Sequence, residues 1–300
     1  MIRVSDYVVK YLANIGISNV FTVSGGGSIF LCDALHKNKK IKYISCHHEQ
    51  AVAFAAEGYA RHSNKIGSAI VTTGPGGTNA ITGVASCWID SIPVIFISGQ
   101  VFLNQTISKT KLRQLGVQEI NIIDLVRPIT KYAEIVKNKN DIKIHLDKCL
   151  HFSKSGRFGP VWLDIPANIQ SSYINEEKLK SFIPKFNNKK TSIIKSINTV
   201  ITMIRNSKKP LILLGHGVKL SNSQKIYEKI INTFKIPFCL TWNASSIIES
   251  NNDFFMGRPG AFAERGTNFI IQNCDLLLCI GTRLPFMVTG YNSKKFAENA

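Results

Sequence analysis

The 300-residue chain is short of acid: 19 Asp and Glu stand against 37 Lys and Arg, a formal net charge of +18. That imbalance would suit a nucleic-acid surface if the cations clustered and alternated with aromatic rings. Instead they are scattered through runs such as 37–42, 137–143 and 185–190, mixed with Asn and Ile, and read as solvated loops, so no nucleic-acid partner is expected. A basic surface still attracts anionic small molecules. Long apolar runs are also missing, and the N-terminus lacks the basic-then-apolar order of a signal peptide, so the expectations are no membrane partner and a cytoplasmic location. The seven cysteines (Cys32, Cys46, Cys87, Cys149, Cys239, Cys274, Cys279) form no C-x-x-C pair and lie mostly in or beside apolar runs, which points to reduced, packed side chains. There is no G-x-G-x-x-G and no G-K-[ST], so neither a dinucleotide fingerprint nor a Walker loop is supported. His47-His48-Glu49 does not complete H-E-x-x-H, and no metal ligands are assigned.

What is present is a repeated strand, glycine turn and helix. Ser5 is expected to cap a helix running to about Asn14, with Tyr7, Val8, Tyr11 and Leu12 in helical spacing. A strand over 20–23 runs into Ser24-Gly25-Gly26-Gly27 and a helix over about 28–36. The stretch 41–61 begins as a short strand, breaks at a polar corner, and continues as an alanine-rich helix with Glu49 at the corner. The alanines let a neighbouring helix approach closely. Burial would raise the Glu49 pKa and the positive end of the helix would lower it. A strand over 67–72 leads into T-T-G-P-G-G-T-N-A (Thr72 to Ala80) and a helix containing Ile81, Val84, Cys87 and Trp88, and the strand 93–98 ends in Gly99-Gln100. Short apolar strands separated by helices imply a parallel sheet covered on both faces, with ligands beyond the strands' carboxyl ends. The corners at Ser24, Glu49, Thr72 and Ser98 then converge on one rim. The polar segment 101–121 is long for a connection and is a candidate active-site loop. A helix over 141–153 and a strand over 161–165 close the first domain, residues 1–170; 171–190 read as a linker. A second α/β domain, 191–300, shows about three strands, at 210–214, 236–240 and 275–280. The expected class is α/β, two doubly wound parallel-sheet domains with the second incomplete, and the chain is expected to be the front portion of a longer protein.

The order and content of these corners resemble the thiamine-diphosphate enzymes, most nearly the acetohydroxyacid (acetolactate) synthase catalytic subunit. The motifs are V-F at Val20 with the glycines that follow, H-E-Q-A at His48, E-G-Y-A-R at Glu57 and T-T-G-P-G-G-T-N-A-I-T-G at Thr72. Further along come D-S-I-P at Asp90, S-G-Q at Ser98, Q-E at Gln118 and S-G-R-F-G-P-V at Ser155. Weaker matches in the second domain are Arg265-Gly266-Thr267, 273–277, Gly281-Thr282-Arg283 and Val288-Thr289-Gly290.

The resemblance implies a pyrimidine-binding domain, a middle domain that holds FAD in some members, and a further domain binding the diphosphate through Mg2+. The metal-binding G-D-G of that further domain does not occur in this sequence. It also implies a 2-oxoacid substrate and a homodimer or homotetramer, because the diphosphate half comes from another subunit. By resemblance Glu49 is the carboxyl that activates the aminopyrimidine, Gln100 and Lys131 lie near the reacting centre, and Ser24, Gly25, Gly26, Thr72, Pro75, Gly76, Asn79 and Arg157 bind cofactor. Where the synthase turn reads Tyr-Pro-Gly-Gly this chain has Val23-Ser24-Gly25-Gly26; D-A-F-Q-E is 115–119 here, L-G-V-Q-E; and Arg-Phe-Asp-Asp-Arg is 283–287, R-L-P-F-M. These departures keep open a simple decarboxylase, a carboligase with a sugar-nucleotide acceptor, or a non-catalytic truncated partner.

Overall fold

The structure, a computed structural model, describes residues 1–107, 110–184 and 191–300. It divides into two compact units, Met1–Lys185 and Phe186–Ala300.

In chain order the first unit comprises β1 (Ile2–Arg3), α1 (Val4–Asn14), β2 (Asn19–Thr22), α2 (Ile29–Lys37), β3 (Lys42–Ser45), α3 (Glu49–Ser63), β4 (Gly67–Val71), α4 (Pro75–Asn79), α5 (Ile81–Asp90) and β5 (Val94–Gln100). It continues with α6 (Ile122–Val126), β6 (Ala133–Ile135), α7 (Ile142–Lys154), β7 (Val161–Pro166), α8 (Ala167–Ser171) and β8 (Tyr173–Ile174). Six strands form one parallel sheet in the order β3-β2-β4-β5-β7-β6. The central strands β4, β5 and β7 are buried on both faces, which is why their sequences are nearly continuous apolar runs. Along β5, Ile95 and Ile97 join Leu12, Leu31, Leu35 and Leu146 from α1, α2 and α7 in one core. Val94 and Phe96 join Val52, Ala56, Val84 and Val126 from α3, α5 and α6 in the other, where Phe96 stacks on Trp162 with ring centres 5.5 Å apart.

Two expectations change, and one strand appears that the sequence pattern did not announce. Ser5 is not a cap: β1 pairs antiparallel with β8, the extended chain ends at Arg3, and α1 starts at Val4 with Ser5 buried inside it. The same pairing moves the boundary, because 171–184 belong to the first unit; Ile174 and Leu179 are buried and the Phe182 N–H donates to Asp147. Of the expected linker, 185–190 lie outside the described residues. The segment around Lys131 also carries β6, a three-residue edge strand too short to leave a periodic signal.

The second unit holds α9 (Thr191–Asn206), β9 (Pro210–Leu214), α10 (Gly217–Leu220), α11 (Gln224–Phe234), β10 (Phe238–Leu240), α12 (Arg265–Asn273) and β11 (Leu276–Ile280), with a parallel sheet ordered β10-β9-β11. Ile212, Leu214 and Ile231 pack on one face and Leu211, Leu213 and Ile271 on the other. All seven cysteines are free; Cys87, Cys149, Cys239 and Cys274 are buried, whereas Cys279 is exposed.

The alanines of α3 do permit close approach. A Cβ on Gly83 of α5 would lie 2.4 Å from the Ala53 Cβ, and one on Gly67 would lie 2.3 Å from the Ala56 carbonyl oxygen. Gly83→Val therefore overpacks the α3–α5 contact and is expected to cost about 1–3 kcal/mol, measured by chemical denaturation of the first unit's transition.

Candidate active site

From β2 the chain goes outward to β3, then crosses back to β4 on the other side of β2. The carboxyl ends of β2 and β4 thus flank the switch point of the sheet, where open α/β sheets leave a crevice. Two turns meet there. The Gly27 N–H donates to Thr72 Oγ1 at 3.1 Å, and a Cβ on Gly25 would lie 2.5 Å from the Thr72 Cβ. Behind them Thr73 Oγ1 donates to the Gly99 carbonyl at 3.1 Å, and a Cβ on Gly99 would meet the Gly27 oxygen at 2.0 Å. Gln170 Nε2 donates to the Gly27 carbonyl at 2.7 Å and to that of Ile165 at 2.6 Å. Only Gly26 faces open space within this turn.

Glu49 is the first residue of α3, at the positive end of the helix. His48 is the N-cap, its Nδ1 accepting the Gln50 N–H at 3.1 Å. The Glu49 carboxyl is half-buried; Oε2 accepts from Asn79 Nδ2 at 2.9 Å, and Oε1 takes no hydrogen bond among the described residues. A Cβ on Gly76 would stand 3.5 Å from that Oε1 and 2.6 Å from Thr72 Cγ2. Gly25, Thr72, Gly76, Asn79 and Glu49 therefore form one contiguous group, with exposed Ser24, Gly26 and Pro75 at its margin.

Gln100, Lys131 and Arg157 are placed differently. Gln100 ends β5 and is 2% exposed; its Nε2 donates to Asp164 Oδ2 at 3.1 Å and the Ile120 carbonyl at 3.2 Å, and its Oε1 accepts the Val101 N–H at 3.0 Å. All its hydrogen-bonding groups are used within the fold. Lys131 precedes β6 and Arg157 precedes β7, so in a parallel sheet both sit at the amino edge, opposite the rim that carries Glu49. Lys131 Nζ donates to the carbonyls of Ser155 and Arg157, and burial pulls its pKa down. Arg157 donates to Ser91 Oγ at 2.7 Å and the Ile89 carbonyl at 3.1 Å, closing the C-terminus of α5. The structure does not bring these two cations together with Glu49.

A buried carboxyl also lies beneath the rim. Asp164 on β7 is registered against Ser98 on β5; Ser98 Oγ donates to Oδ1 at 2.6 Å and itself accepts from Trp162 Nε1 at 2.8 Å. Burial pushes the Asp164 pKa up to about 7 against these donors, and the nearby Glu119 carboxylate adds to the rise. An Asp inside the apolar run V-W-L-D-I-P was the available sequence signal for it.

Comparison with known proteins fits the fold. Residues 2–125 match the thiamine pyrophosphate enzyme N-terminal TPP binding domain, and residues 197–300 match the central domain of the same enzymes. The chain belongs to the thiamine pyrophosphate enzyme family. Among curated proteins it is similar to acetolactate synthase large subunits: 29% identical to that of Lactococcus lactis over 99% of this chain and 31% to that of Cyanidium caldarium over 98%. It is also 31% identical to the isozyme 2 large subunit of Escherichia coli K12 over 95% of this chain. It spans about half the length of these relatives (50% in each case). Among the described residues no helix is long and apolar enough to cross a membrane.

Gly25 and Gly76 are taken up by contact with Thr72, but Gly26 faces open space and the Glu49 carboxyl has one open oxygen, which fits an aminopyrimidine, a flat ring that offers ring nitrogens. The glycines of the second unit serve another purpose. A Cβ on Gly215 would meet the Gly281 oxygen at 2.3 Å, one on Gly217 the Gly281 Cα at 2.8 Å, and the Gly217 N–H donates to Gly281. Their freedom is consumed by backbone packing inside the unit, and no step is assigned to FAD.

The Asp164 environment predicts a pH dependence. Unfolded, the group ionises near 3.8; folded, it keeps its proton up to about 7. The folded state then holds the extra proton between those values. Its contribution to stability is full below about pH 4, falls by at most about 1.4 kcal/mol per pH unit as pH rises, and levels off above 7. Denaturation series from pH 4 to 8.5 are expected to show this slope in the wild type and a flatter one in Asp164→Asn.

Proposed function

We propose that this chain supplies the amino-terminal and central domains of a thiamine-diphosphate-dependent enzyme that decarboxylates a 2-oxoacid and joins the remaining unit to a second carbonyl compound. The observation that carries the reading is Glu49 at the switch point, one oxygen fixed by Asn79 and the other facing the glycine cradle. When bound, thiamine diphosphate supplies the electron sink that decarboxylation needs.

The chain's own residues do the rest. Glu49 presents Oε1 to a ring nitrogen of the aminopyrimidine, where a proton can pass between the two. Asn79 keeps Oε2 engaged, which leaves Oε1 for that contact. Gly26 leaves the backbone of the first turn open to a flat ring, with Ser24, Thr72 and Pro75 around it, while Gly25 and Gly76 let the two turns close on Thr72. The diphosphate and its Mg2+ are assigned to a further domain, of the kind the relatives' greater length can accommodate, contributed by another subunit of a homodimer or homotetramer. Among the described residues no three His, Cys, Asp or Glu side chains gather into a metal site.

The test is turnover of pyruvate by the complete assembly with thiamine diphosphate and Mg2+. Acetolactate is the expected product; acetaldehyde alone would make the protein a simple decarboxylase, and no turnover would overturn the enzyme reading. Glu49→Gln is expected to lower kcat by about two to four orders of magnitude, since proton-transfer groups contribute on that scale. Retained activity would remove Glu49 from the chemistry.

A further inference from the structure

The segment between β5 and α6 is the longest connection in the first unit, and it returns to the carboxyl rim beside the Glu49 group. Its route is fixed by close contacts. A Cβ on Gly74, where φ is +61°, would lie 1.9 Å from the Gln118 carbonyl oxygen, and one on Gly77 would lie 3.1 Å from Ile122 Cδ1. Residues 118–122 therefore press against the turn and short helix that present Asn79 to Glu49. Within the segment the buried Glu119 carboxylate accepts the Ile107 N–H at 3.1 Å, and the Gly116 N–H donates to the Gln105 carbonyl at 2.9 Å.

Gln100 also ties this returning stretch to the sheet. Its amide has one orientation that satisfies its neighbours: Oε1 toward the Val101 N–H, and Nε2 toward both Asp164 and the Ile120 carbonyl. Turning it over would set its oxygen against the Ile120 carbonyl and its NH2 against the Val101 N–H, and would take the donor away from Asp164 Oδ2. Asp164, 1% exposed and itself fixed by Ser98, holds the amide in that orientation.

We propose that Asp164 is a positioning residue: by fixing the Gln100 carboxamide it pins the Ile120 carbonyl, and so holds residues 116–122 against the Gly74–Asn79 turn that orients Glu49. Gln100 then acts as a structural pin, its donors committed inside the fold. The catalytic consequence rests on the function proposed above, whereas the pinning itself does not.

Hydrogen exchange on the whole chain, without cofactor, tests the pin. Asp164→Asn and Gln100→Met are each expected to speed exchange in peptides covering 110–122 at least tenfold, with 210–214 unchanged. The double variant is expected to be no faster than the faster single, since both break one linkage. Ser98→Ala, which leaves the Asp164–Gln100 bond in place, is expected to stay within twofold of wild type. Unchanged exchange, or effects that multiply in the double variant, would overturn the proposal. Should Asp164→Asn not fold, Gln100→Met and Gln100→Leu carry the test: neither offers a donor to the Ile120 carbonyl, and protection retained in both would overturn it. In the complete assembly, Asp164→Asn is expected to lower kcat about tenfold with KM for pyruvate within twofold. An unchanged kcat would overturn the link to Glu49. Altered exchange with an inactive wild type would sink the enzyme reading and leave the pin standing.

Discussion

The first unit depends on how closely two backbone turns can meet at the seam between β2 and β4. Thr72 is the side chain on which they meet: its hydroxyl accepts the Gly27 N–H, and its Cβ and methyl fill the volumes that side chains on Gly25 and Gly76 would need. Substituted residues at those glycines would drive the turns apart by more than an ångström, and Glu49, Asn79 and Gly76 would lose their common centre. The switch point opens a crevice in any sheet of this order. Glycines at four positions, Gly25, Gly27, Gly76 and Gly99, let the turns at this switch point close on one another.

Beneath that seam two carboxyl groups are buried, and the hydrogen-bond partners found for them among the described residues include no cation. Asp164 and Glu119 are both buried, and their hydrogen bonds come from neutral donors, hydroxyl, carboxamide and backbone N–H. Neutral donors stabilise a carboxylate less than a cation does, which is why burial prevails at Asp164 and moves its pKa toward neutrality. The compensation is directional. A cation attracts from any angle, whereas these donors hold the carboxyls at fixed angles, and the Gln100 amide between them inherits that rigidity.

How much of this was legible depended on the kind of signal. The strand, turn and helix order was readable because each central strand is an apolar run ending in glycine, and the close α3–α5 approach followed from the alanines around Ala53 and Ala56. Glu49 was readable from its place at a helix start. What the sequence did not reveal was which edge of the sheet a residue occupies. Lys131 and Arg157 belong to motifs that look contiguous with the site, yet both precede their strands, and in a parallel sheet that puts them at the opposite edge. β6 was missed because three residues at a sheet edge need not alternate, and the β1–β8 pairing because two residues carry no period at all. Gln100 was found as a residue at the rim, but where its amide points is set by Asp164, 64 positions away.

The exposure of the Glu49 group bears on what completes it. Glu49 is half-buried, while Ser24, Gly26, Pro75 and Asn79 are exposed. A carboxyl so placed has water as a competitor for its open oxygen, and a hydrogen bond to a ligand there would replace one to solvent at a modest net gain of about 1 kcal/mol. When that water is excluded the hydrogen bond to a ring nitrogen has no solvent competitor and is the stronger for it. Among the described residues Glu49 Oε1 takes no hydrogen bond, while Oε2 is held by Asn79 and the segment around Gln118 lies against Gly74. The carboxyl is thus fixed on one side and open on the other, and what occupies the open side sets how strongly it can act.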